Sequence, residues 1–106
     1  MAANEPECRV EGAEKNKVAM APAQMCRCFQ DQLAEDVGAN ADLSDIRVVL
    51  RMDGAHSVEA TITTVSGEQS QIVPPITVEV LDRPINLRDI RSLATSVGHA
   101  LLNQNS

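Results

Sequence analysis

The chain has 106 residues, a formal net charge of −6, an apolar content of 43% and an aromatic content of 1%. That length fits one domain, and the acidic balance, with no basic run and no set of stacking aromatics, argues against nucleic acid or an anionic lipid surface as the partner. Phe29 is the sole aromatic residue, so the core must be built from Val, Ile, Leu, Met and Ala. Each of these contributes only about 1.5–3 kcal/mol on full burial, and a covalent staple would matter to such a fold. No stretch reaches the ~20 apolar residues that span a bilayer.

Residues 1–21 are polar and irregular, and read as a flexible N-terminal arm preceding a single α+β domain over 22–104. "MAANEPECRVEGAEK" has no charged start followed by an apolar run. Two compartments stay open: the cytoplasm, or the periplasm or exterior if a leader has been removed.

"PAQMCRCFQDQLAEDV", residues 22–37, predicts a helix. Pro22 suits its first turn. Met25, Cys26, Phe29, Leu33 and Val37 fall within one broad arc at 3.6 residues per turn, and Gly38 is a natural stop.

"IRVVLRM", residues 46–52, alternates as a strand, with Ile46, Val48, Leu50 and Met52 on one face and Arg47, Val49 and Arg51 on the other. "VEATITTV", residues 58–65, continues the alternation after the turn "DGAHS". The loop length sets Arg51 opposite Glu59 and Arg47 opposite Thr63 in a hairpin. "ITVEVL", residues 76–81, is a third strand following Pro74 and Pro75. Prolines give the ladder no N–H, which puts its start at an edge or outside the sheet.

"DRPINLRDIRSLATSVGHALLNQ" carries the last helix. Asn86 is its N-cap, with Asp89 three positions on. Leu87, Ile90, Leu93, Ala94, Val97 and Leu101 line its apolar face, and Gly98 either weakens it or allows close packing. The resulting order is α-β-β-β-α: a two-layer sandwich with a three-stranded, mainly antiparallel sheet and both helices on one face.

The pairing of "CRVEG" near the start with a cysteine in the first helix and a closing "VLDRPIN" resembles short exported bacterial proteins of unknown function. The resemblance names no family and implies no activity.

The cysteines are Cys8, Cys26 and Cys28. A zinc site wants paired C-x₂-C ligands at set spacing, and a redox pair wants C-x-x-C at a helix start. Cys26-Arg27-Cys28 matches neither, because residues two apart on a helix diverge by about 200°. A staple fits better. Cys26 lies in the apolar arc, whereas Cys28 points to the wet edge with Asp31, Gln32 and Glu35. A Cys8–Cys26 bond, with Cys28 a free thiol, would close a loop of about 18 residues, worth ~3 kcal/mol in the chain-entropy picture. Three free thiols in a reducing cytosol are the competing reading.

No phosphate-binding glycine loop, catalytic triad or calcium loop is present in the sequence. His56-Ser57 is an adjacency in a turn, and Asp82-Arg83 fixes a strand-to-helix corner. The expectation is therefore a small non-enzymatic binding or structural module with no cofactor, exported if a leader has been removed, whose partner is another protein. Its candidate interaction face carries Arg47, Val49, Arg51, Thr61, Thr63 and Leu81 on the uncovered side of the sheet; a strand edge or the arm are further routes to a partner. Two alternatives remain: a thiol-dependent redox or metal-binding protein using Cys26 and Cys28, and an acidic cytosolic adaptor or chaperone.

Overall fold

The computed structural model describes residues 6–12, 20–38, 43–64 and 71–104. Among these residues six elements follow in chain order: β1 (Glu7–Glu11), α1 (Pro22–Val37), β2 (Ile46–Met52), β3 (Ser57–Thr64), β4 (Gln71–Glu79) and α2 (Leu87–Gln104). The fold is α+β, with two helices packed together against a four-stranded mixed sheet in the order β1-β2-β3-β4.

The first correction to the sequence reading is β1. Within the stretch read as an arm, "ECRVE" pairs in parallel with β2, Glu7 opposite Arg47 through Glu11 opposite Arg51. Parallel neighbours need a crossover, and α1 supplies it. The element order is thus β-α-β-β-β-α, and the sheet has four strands, not three. The remainder of that stretch, residues 1–5 and 13–19, lies outside the described residues.

The β2–β3 hairpin has the register read from the sequence, Arg51 opposite Glu59 and Arg47 opposite Thr63. β4 begins earlier and ends earlier than the 76–81 reading. Its ladder runs through the two prolines by slipping register, with Ala60 opposite Ile76 but Ile62 opposite Val73. One extra residue at each of two register shifts, between Ala60 and Ile62 and between Ile62 and Thr63, falls on the proline-bearing outer strand, where a missing N–H costs least.

The core joins the two layers. Met25, Phe29 and Leu33 of α1 meet Val48, Leu50, Val58, Ala60 and Ile62 of the sheet and Ile90, Leu93, Ala94 and Val97 of α2, with Leu43, Met52, Ile85 and Leu101 also buried in the cluster. α1 lies against β1 and α2 against β4. Where the helices cross, Gly98 is buried, and a Cβ at that position would stand 3.2 Å from the Cβ of Asp36 and 3.5 Å from Leu33 Cδ1. Close packing is therefore what Gly98 provides. Gly38 ends α1 at a φ of 100°, where a side chain would be strained.

Candidate functional site

With period-2 alternation in β1, β2 and β3, and in β4 after its register shifts, the residues that do not face the helices form cross-sheet rows. One row runs Glu7, Arg47, Thr63; the next Arg9, Val49, Thr61; the third Glu11, Arg51, Glu59, Thr77. The hairpin alone offers Arg47 only the uncharged Thr63 as its opposite neighbour. Instead its Nε donates to Glu7 Oε1 at 2.8 Å, because β1 lies beside it. Within β1, Arg9 and Glu11 form a second exposed pair at 3.1 Å.

Arg51 is exposed, in register between Glu11 and Glu59, and among the described residues no carboxylate closes an ion pair on it. It borders a shallow depression with Asp53, Ser57, Glu59 and Thr77. Val49 is half-buried between Arg9 and Thr61, and Thr61 and Thr63 are likewise half-buried. Leu81 does not belong to this face. The strand stops at Glu79, and Leu81 is 89% exposed in the bend that follows. Glu7, Arg9 and Glu11 are the members of the face that the sequence reading missed. Their signal is the alternation of "ECRVE", short and set in polar surroundings.

Cys8 of β1 and Cys26 of α1 sit at disulfide-bonding distance, with Cα atoms 5.7 Å apart. Cys8 faces inward beside Val48 in register, and Cys26 flanks the core stripe of α1 on the β1 side. On the same flank, Gln30 Nε2 donates to the carbonyl of Pro6 at 2.7 Å.

Cys28 is a free thiol on the opposite flank of α1. The reading that placed it on the wet edge needs correction: it is half-buried against the core, and its Sγ–H points to the Leu87 carbonyl of α2 at 3.6 Å. It lines a cleft between the two helices with Arg27, Gln32 and Arg91. That flank also carries Asp36, whose Oδ2 accepts the Thr95 hydroxyl at 2.7 Å. One side of α1 thus serves the sheet edge and the other serves α2, with Phe29 between them. Among the described residues, no three His, Cys, Asp or Glu side chains gather as a metal site.

The corner between β4 and α2 is a polar lattice. Arg83 grips both carboxylate oxygens of Asp89, at 2.7 and 3.0 Å. Asp89 Oδ2 accepts the Asn86 N–H at 2.9 Å while Asn86 Oδ1 accepts the Asp89 N–H at 3.3 Å, a reciprocal cap at the start of α2. His56 Nδ1 donates to the Arg83 carbonyl at 2.7 Å. Two backbone bonds, Val80 N–H to His56 O and Ile85 N–H to Ala55 O, tie the β2–β3 turn to this corner. His56 is thereby engaged in structure.

No protein-family model, no curated protein and no solved structure matches the chain. Among the described residues, no helix is long and apolar enough to cross a membrane.

Proposed function

We propose that the protein is a small non-enzymatic binding module of an oxidising compartment, the periplasm or the exterior, which meets a protein partner through the open face of its sheet. The observation that supports this reading best is the division of the sheet into two faces. The helices bury one, and the other carries registered rows of both charge signs: Arg9, Arg47 and Arg51 against Glu7, Glu11, Glu59 and Glu79. Rows of fixed, alternating sign suit a protein surface of complementary mixed charge, because such patterns select register and suppress wrong partners. The Cys8–Cys26 pair supports the compartment, since disulfides persist where the surroundings are oxidising.

The test is recovery of partners from an extracytoplasmic extract of the native host, identified by mass spectrometry. The double variant Arg51→Glu, Thr77→Arg alters exposed residues of the face, and Arg88→Glu on α2 is the control. A partner held by the wild-type protein and the control but lost from the double variant supports the reading. Equal recovery by all three removes the sheet face as the docking surface.

A further inference from the structure

We propose that the Cys8–Cys26 bond is a redox latch on the edge strand: a dithiol reductant that opens it lets β1 leave the sheet and bares the outer edge of β2. The inference rests on the reading above of this pair as a bond formed in the working protein.

β1 is the least secured element of the fold. It has five residues, and among the described residues it pairs with β2 alone. Its inward side chains, Cys8 and Val10, are only half-buried, and Pro6 is its one fully buried neighbour. Glu7, Arg9 and Glu11 are exposed. The Arg9–Glu11 pair lies within the strand and fastens it to nothing, the Arg47–Glu7 pair is 40% and 54% exposed, so solvent weakens it, and the Gln30 bond to the Pro6 carbonyl holds the residue before the strand and not the strand itself. Apart from Pro6, every buried core residue lies in the rest of the fold. Opening at β1 can therefore be local, leaving the body intact.

The bond closes a separation of 18 residues. Its loss frees that loop and favours the open state of β1 by about a hundredfold in the chain-entropy picture. The exchange balances as a two-electron step. One thiolate of the dithiol attacks Cys8 or Cys26, forming a mixed disulfide and releasing the other cysteine as thiolate. The second thiol of the reductant then displaces the remaining cysteine. The reductant departs as a cyclic disulfide, and its two protons end on Cys8 and Cys26. Cys28, on the far flank of α1 against Leu87, is turned away from both sulfurs and does not intercept the step.

The experiment is amide hydrogen exchange on the full chain carrying Cys28→Ser, with and without dithiothreitol, after counting thiols by alkylation. The latch predicts about hundredfold faster exchange in residues 7–11 and in the β2 amides facing them, with β3 and α2 unchanged. Unchanged protection of β1 on reduction overturns the latch, as does loss of protection throughout the molecule. If Cys8 and Cys26 both alkylate before any reductant is added, the underlying reading of the pair fails instead.

Discussion

Arg83 holds Asp89 at two points, Nη1 to Oδ2 at 2.7 Å and Nη2 to Oδ1 at 3.0 Å, across the turn into α2. The same carboxylate caps the helix through the Asn86 N–H. The Arg83 hydrogen bond holds the Asp89 carboxyl below its ordinary range, against the opposing effect of burial and with help from the Asn86 N–H. A carboxyl lowered by folding stabilises the fold when ionised. That contribution is complete above the unfolded value of about 3.9 and is lost as pH falls through the lower folded value. Asp89→Asn should therefore be less stable than wild type at neutral pH, and the gap should narrow as pH drops below ~4. Urea melts from pH 7 to pH 2.5 check this, and a gap independent of pH would refute it.

The cap itself has a separate signature. Asn86→Ala removes the Oδ1 acceptor of the Asp89 N–H, leaving it the Asn86 carbonyl at 3.0 Å, and should cost about 0.5–2 kcal/mol, with α2 fraying at its first turn. Thermal melts with helix content followed by circular dichroism measure both. Unchanged stability would show that the Asp89 half of the cap suffices.

Phe29 is fully buried on the central stripe of α1, between the flank facing β1 and the flank facing α2. Phe29→Ala should cost about 3–5 kcal/mol, a large part of what a domain of this size has. Denaturant titration gives the value, and a cost under about 1 kcal/mol would mean that α1 does not dock through this side chain.

At the helix crossing the outcome depends on side-chain size. Gly98→Ala adds a methyl 3.2 Å from Asp36 Cβ, a close approach offset by about 1 kcal/mol of better helix propensity, so its net effect should be small. Gly98→Leu has no room and should cost about 1–3 kcal/mol. Equal stability of the two variants would place the helices further apart than this contact requires.

The helices and the hairpin were legible because each repeats its period over many residues. α1 offers Met25, Phe29 and Leu33 in line, and β2 alternates over seven residues. β1 was hidden because only Cys8 and Val10 mark its inner face, too few to rise above the polar stretch around them. Its omission then propagated. Without Glu7 in view, Arg47 looked unpaired, and the sheet lost its parallel edge. Cys28 was misplaced for a different reason. A helical wheel shows where a side chain points on its own helix but not what stands there, and α2 covers the flank that looked wet. Leu81 was drawn onto the sheet by carrying the outward alternation of Thr77 and Glu79 one step too far, whereas the β4 ladder ends at Glu79.

The two middle-strand arginines should respond differently to salt. Arg47→Ser leaves Glu7 alone at the exposed start of β1, with Thr63 as the other neighbour in its row. Arg51→Ser leaves Glu11 and Glu59 flanking a neutral residue, with Asp53 beside the same depression, so like charges face each other across one strand. Exposed pairs contribute only ~0–1 kcal/mol, and both variants should fold with nearly wild-type stability at physiological salt. At about 10 mM salt, where the Debye length is ~30 Å, Arg51→Ser should be the less stable of the two; at 1 M, where it is ~3 Å, the difference should vanish. Parallel melts of the two variants across that range read the effect directly. A difference that persists at high salt would show that Arg51 contributes by packing over the neighbouring Val49 row instead of by charge.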